Sequence, residues 1–184
     1  MADRAAPAIL HGSRCTLRPW RLDDAAALPE VASDPDVVRY MNHRFPSPYT
    51  RADADAWIRL KLDEPDVLHW AIEVDGALAG GIGLTPGVLE HAGSVMIGYW
   101  LGKRFWGRGL ASDALRTLTA HALAALRPRR LWANVMAANA ASARVLEKAG
   151  YVREAVLARS LVDRHGTAHD ELIFVFPQTA AELT

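Results

Sequence analysis

The run Tyr99-Trp-Leu-Gly-Lys-Arg-Phe-Trp-Gly-Arg-Gly-Leu-Ala111 constrains this chain more than any other part of it. An apolar strand, Val95 to Leu101, enters a loop with Gly102, Gly107 and Gly109, and an amphipathic helix follows. That helix places Leu110, Ala114, Leu115, Leu118, Ala122 and Leu126 on one stripe, and Pro128 ends it. Gly107 and Gly109 flank Arg108, so backbone N–H groups there can point at one place without Cβ interference. The helix N-terminus behind them adds unpaired donors and a positive dipole end. A strand, a glycine turn and a helix in this order make a seat for a phosphorylated ligand.

Three anion loops compete for the segment. Gly102 and Gly107 have the Walker A gap, but Arg108 and Gly109 stand where the lysine and the magnesium-binding hydroxyl belong. A dinucleotide fingerprint would need glycine at Ser112 and an acidic residue about twenty positions on, and both are missing. The third pattern, R/Q-x-x-G-x-G/A, is met in full by Arg104-Phe-Trp-Gly107-Arg108-Gly109. Thirty residues downstream, Asn139-Ala-Ala-Ser142-Ala-Arg144-Val-Leu-Glu-Lys148-Ala-Gly150-Tyr151 follows the strand candidate Leu131 to Met136. Both motifs resemble the GNAT superfamily of N-acetyltransferases, and the second resembles its ribosomal-protein N-terminal acetyltransferase (Rim-like) branch. Thr16-Leu-Arg-Pro-Trp20, Ile72-Glu-Val-Asp-Gly76, Gly80-Gly-Ile-Gly-Leu84 and Gly98-Tyr-Trp-Leu101 extend the likeness over nearly the whole chain.

The resemblance implies a single domain over residues 1–184. Its fold would be α/β (α+β), a mixed, mostly antiparallel sheet of about seven strands with helices on both faces. A splay would separate the fourth and fifth strands. It implies acetyl-CoA as co-substrate and an amine acceptor, a protein N-terminus or a small molecule, attacking the thioester directly. Tyr99, Trp100 and Leu101 would pair with the pantetheine arm. Arg104, Gly107, Arg108, Gly109, Leu110, Ala111 and Ser112 would hold the pyrophosphate. Asn139 serves either as the N-cap of the next helix or as a pantetheine contact, and the two roles are compatible. Arg144 and Lys148, i and i+4 on that helix, repel each other unless an anion lies between them. A homodimer is a candidate assembly, whereas direct nucleic-acid contact and a membrane are not expected.

Ser142 is the candidate catalytic residue, placed by the resemblance near the sulfur of CoA. Many GNAT enzymes carry a tyrosine seven residues after the Asn to protonate the leaving thiolate, and here that position is Leu146. Some Rim-type enzymes carry a glutamate base eleven residues after the glycine, and here that position is Leu161. These departures keep alive a CoA-binding module without catalysis, and a different donor such as succinyl-CoA also stays open. An α-amine with a pKa of about 7.7–8.0 is partly neutral near pH 7 and so needs little help from a base. Glu73, Asp163 and Asp170 are candidate ends of a water wire. By resemblance, the loop holding His43, Phe45 and Tyr49 lies over the acceptor slot.

Charge supports the placement of the anion site. Residues 99–151 carry nine Lys or Arg against two acids, whereas residues 1–98 carry nine basic residues and fourteen acidic ones. Cys15 is the only cysteine, so no internal disulfide can form and a reducing cytoplasm is the expected compartment. Residues 1–7 lack the apolar core of a signal peptide, and no apolar run reaches the roughly twenty residues of a membrane span. His165 and His169 lie four apart, but Gly166 between them argues against a helical metal pair, and no metal is expected.

The remaining elements follow local signals. A first strand is expected over Arg14–Trp20, a helix from about Asp23 and a short turn over Pro35–Met41. A helix from the Thr50–Asp53 capping box should run to about Asp63. Val67–Val74 and Ala77–Leu84 should form a hairpin around Asp75-Gly76. A helix over 140–149 closed by Gly150 and final strands near 151–159 and 168–176 complete the chain.

Overall fold

The computed structural model describes residues 8–63 and 68–178. The N-terminal heptapeptide and Val67, the expected start of the hairpin's first strand, lie outside the described residues. Eight strands form one sheet: β1 (Leu10–His11), β2 (Thr16–Arg18), β3 (Leu68–Val74), β4 (Ala77–Pro86), β5 (Ser94–Leu101), β6 (Arg130–Met136), β7 (Val152–Val162) and β8 (Ala168–Val175). Their spatial order is β1-β2-β3-β4-β5-β6-β8-β7, antiparallel throughout except for β5 beside β6. The sheet thus has one strand more than expected, because β1 is too short to leave a periodic signal. Without it, β5 and β6 are the fourth and fifth strands.

Helices cover both faces. On one side lie α1 (Leu28–Ala32), α2 (Pro35–Val38) and α3 (Arg51–Asp63), where Leu28, Ala54 and Ile58 pack under Trp20 and Tyr49. The helix expected from Asp23 divides into a 3₁₀ turn and α1, which starts afresh with Pro29 in its first turn. Thr50 and Asp53 cap α3 reciprocally: Thr50 N donates to Asp53 Oδ2 at 2.9 Å and Asp53 N to Thr50 Oγ1 at 3.2 Å. On the other side lie α4 (Leu110–Leu126) and α5 (Ala140–Lys148), sharing a core with Trp70, Ile97, Leu131 and Phe174. The α4 stripe is buried from Leu110 to Ala122, and only Leu126, in the last turn, is exposed.

Turn chemistry explains the connections. Asp75 and Gly76 both take positive φ, 50° and 77°, as a two-residue hairpin turn requires. Gly150, at φ 95°, closes α5: Tyr151 N returns to Leu146 O, and Gly150 N to Glu147 O. Strand β7 runs on to Val162, past the expected end at 159, with an irregularity between Leu157 and Leu161 where Arg159 takes φ 50°.

The site is set by where β5 and β6 part. Their ladder pairs Ser94 with Arg130, Val95 with Leu131 and Met96 with Trp132, and then stops. Beyond that point β5 keeps β4 on its other side, and β6 keeps β8. The edges that face each other across the gap have no strand partner.

Candidate active site

A cleft of about 650 Å³ occupies the gap. Its walls are the end of β5 with Tyr99, Trp100 and Leu101, and the start of α4 with Leu110, Ala111 and Ser112. Gly107 and Gly109 line the turn between them, and Asn139, Ser142, Arg144 and Lys148 of the α5 segment form the far side. Two motifs separated by thirty residues thus share one cavity. Asp36, Val37, Arg39, Tyr40 and Met41 close it from the opposite face, where Tyr40 Oη donates to Ala138 O at 3.2 Å.

The glycine turn leaves open space where side chains could otherwise pack. Gly107 and Gly109 have φ of 73° and 74°, conformations that L side chains rarely adopt. A Cβ on Gly107 would meet nothing within 4 Å, and one on Gly109 only the Arg14 side chain at 3.8 Å. Space there is left open toward the cleft. No side chain caps α4, and the first bond inside the helix runs from Asp113 N to Gly109 O at 3.1 Å. The N–H groups ahead of it have no acceptor inside the helix, which suits an anion.

Asn139 is the N-cap of α5, its Oδ1 accepting from Ser142 N at 3.1 Å, while the residue also lines the cleft. Ser142 faces β5, and its Oγ stands 2.8 Å from Tyr99 Oη, which also reaches Ser142 O at 3.1 Å. Burial pushes the Tyr99 phenol up to about 12, although its bond to Ser142 acts in the other direction. Leu146 is fully buried in the core and presents nothing to the cleft. The Tyr99 side chain was missed by sequence reasoning, which assigned this residue a backbone role only. Its partner is 43 positions away, and no local signal reports that contact.

Other expected residues lie elsewhere. The Arg104 guanidinium turns to Glu30 of α1 and covers the Phe105 ring at 4.8 Å. Arg108 lies 3.8 Å from Asp75, both exposed, so neither arginine lines the cleft. His43 Nε2 meets the Val162 carbonyl at 3.0 Å, and Tyr49 is buried in the core. Phe45 packs between Tyr49 and Trp100, with centroids at 5.1 and 5.6 Å, and so touches the cleft only through Trp100. Arg164, at the β7–β8 turn, fastens this loop by donating to Asn42 O and Phe45 O.

The three carboxylates considered as proton sinks are engaged. Glu73 pairs with the buried Arg18 at 2.5 Å, and Asp170 accepts from Arg159 N at 2.9 Å. Asp163 accepts from His169 Nε2, His165 N and Thr167 N, each at 2.9 Å. These bonds, His169 first, hold its carboxyl at about 2. Such an acid is a poor base. Of the two histidines, His169 binds Asp163 through its ring and His165 only through its backbone N–H, and among the described residues no three His, Cys, Asp or Glu side chains converge.

A mixed sheet splayed at its parallel pair, with an uncapped glycine turn at the splay, defines an acyl-CoA transferase fold. Residues 14–152 match the acetyltransferase (GNAT) domain family, and the chain belongs to that family as an N-acetyltransferase. It is 32% identical to p20, an uncharacterized N-acetyltransferase of Bacillus licheniformis, over 80% of this chain and 84% of p20. Among solved structures it resembles RimJ of Mycobacterium smegmatis in complex with a CoA disulfide. That likeness has a TM-score of 0.82 at 25% identity, covering 96% of this chain and 90% of RimJ. RimL, a ribosomal L7/L12 α-N-protein acetyltransferase solved with coenzyme A, shares the fold at a TM-score of 0.78 and 18% identity, over 91% of this chain and 97% of RimL. No helix among the described residues is long and apolar enough to cross a membrane.

Proposed function

We propose that the protein transfers the acetyl group of acetyl-CoA to a primary amine, a protein N-terminal α-amine or a small-molecule amine, by direct attack in a ternary complex. The observation that carries this reading is the shared cavity. One cleft joins a strand edge without a partner, an uncapped helix start behind two positive-φ glycines, and a hydroxyl pair.

The residues divide the work by their chemistry. Backbone groups of Tyr99, Trp100 and Leu101 supply donors and acceptors to the pantetheine amides, as strand edges without a ladder partner require. N–H groups of β5 also serve the charge that develops on the thioester oxygen. The N–H groups of Gly107 to Ser112 take the pyrophosphate, and Arg144 with Lys148 at the cleft rim face the remaining phosphate. Ser142, held by Tyr99, offers its hydroxyl to the departing sulfur. Arg104 and Arg108 act through their backbone and the local field, since their side chains lie against Glu30 and Asp75.

Steady-state release of CoA thiol with a panel of amines tests the proposal, with products identified by mass spectrometry. The expected product is an amine heavier by one acetyl group. Tight acetyl-CoA binding without turnover over N-terminal peptides, polyamines, amino acids and aminoglycosides would overturn it in favour of a binding module. Turnover only with succinyl-CoA would change the donor.

A further inference from the structure

Of the buried carboxylates outside the mechanism, Asp24 is paired with Arg18 and Asp113 accepts from Ser13 and Arg14 N, which leaves Glu171. Glu171 of β8 is 8% exposed and lies across from Met136 of β6 on one side and Leu157 of β7 on the other. Its Oε1 accepts from Asn134 Nδ2 at 2.7 Å and its Oε2 from Ser160 Oγ at 2.6 Å. Among the described residues it forms no ion pair. A carboxylate so far out of water ordinarily has a cation beside it or is fully bonded, and here two neutral donors leave much of its capacity unused.

Asn134 links this carboxylate to the cleft lining. Leu131, Ala133 and Val135 of β6 point into the core with α4 and α5, so Asn134 points to the opposite face. It lies beyond Trp132, where β6 has left β5, and it is an exposed part of the cleft lining. An amide that faces a carboxylate must present its NH₂ group, which fixes its orientation. Its oxygen is then the free end, and no donor among the described residues reaches it.

We propose that Asn134 and Glu171 form the seat of the acceptor's ammonium group. Asn134 Oδ1 receives an N–H of the incoming amine, and the Glu171 charge behind it supplies the attraction that selects a cation. Glu171 is a positioning residue, acting through Asn134. The seat selects primary ammonium compounds over neutral hydroxyl acceptors, and it rests on reading the cleft as an acetyltransferase site.

The test uses ethylammonium as the probe and needs no known acceptor. Isotope-labelled protein saturated with CoA is titrated with ethylammonium chloride at fixed ionic strength, with the Val135 backbone amide as reporter. Tetramethylammonium, a cation without N–H, is the control. A saturable shift with ethylammonium alone is expected. Its dissociation constant should weaken at least about tenfold in Glu171→Gln, in line with loss of a charge-assisted bond. Asn134→Ala, a change at an exposed side chain, should weaken it similarly and stands in if Glu171→Gln fails to fold. A merely structural link between β6, β8 and β7 predicts lowered stability with unchanged ethylammonium affinity. That result, or no saturable shift in the wild type, overturns the seat. Failure of the wild type to bind CoA by calorimetry would instead overturn the reading of the cleft itself.

Discussion

The hydroxyls of Tyr99 and Ser142 meet at 2.8 Å, one delivered by β5 and the other by the first turn of α5. The couple spans the cleft wall where a helix tyrosine is replaced by the buried Leu146. Ser142→Ala is expected to lower kcat about 10- to 1,000-fold with little change in the KM for acetyl-CoA. Tyr99→Phe keeps the ring and loses only the bond that orients the serine, so a drop of about 3- to 10-fold is expected. The double variant should be no slower than Ser142→Ala, because both act through one hydroxyl. Since burial keeps Tyr99 a phenol up to about 12, the pH profile of Tyr99→Phe should have the wild-type shape from pH 6 to 10. A shifted profile would show that Tyr99 itself titrates during turnover.

Gly107→Glu should abolish acetyl-CoA binding in a folded protein. The new side chain meets no protein atom near its Cβ, and the φ of 73° costs on the order of 1 kcal/mol. Its carboxylate, however, stands where the pyrophosphate must approach the backbone. Calorimetry on a variant of native circular dichroism measures this directly, and unchanged affinity would remove the turn from the site.

Local rules made one half of the site legible. Positive-φ glycines, an Asn before a helix and an apolar strand before a turn each leave a signature within a few residues, and the turn, α4 and the Asn139 cap stand as read. A mixed sheet with helices on both faces was legible because strand and helix patterns alternate along the chain. The splay between β5 and β6 was expected only through the family resemblance. What depends on distant partners was not legible. The phenol of Tyr99, the burial of Glu171 between Asn134 and Ser160, and the turn of Arg104 toward Glu30 all follow from register and packing. Tyr49 was read as a wall of the acceptor slot, yet an aromatic in a proline-rich loop gives no hint that α3 and Trp20 will cover it.

Arg144→Ala combined with Lys148→Ala should weaken CoA more than the form lacking the 3′-phosphate. Both side chains are exposed at the cleft rim with no anion partner among the described residues, so each contributes modestly, about 0.3–1 kcal/mol per charge contact. The difference in affinity between the two ligands should shrink about 3- to 30-fold, and raised salt should shrink the wild-type difference too. Equal losses for both ligands would mean that these residues do not read that phosphate.

Asp163 gives a pH-dependent prediction for the turn that anchors the loop of Asn42 and Phe45. Its carboxylate ties His169, His165 and Thr167 together, and the neighbouring Arg164 holds Asn42 and Phe45. The bond to His169 and the two backbone N–H groups depress its folded pKa from 3.8 to about 2. The folded state therefore releases this proton more readily than the unfolded chain does. Its stabilising contribution is complete above pH 4 and is lost as pH falls through 4 toward 2. Asp163→Asn keeps the size and removes the charge. Thermal unfolding should therefore show the variant below the wild type at pH 5. The margin should narrow as pH falls from 4 to 2. A margin that stayed constant to pH 2 would show that the side chain's shape, and not its charge, holds the turn.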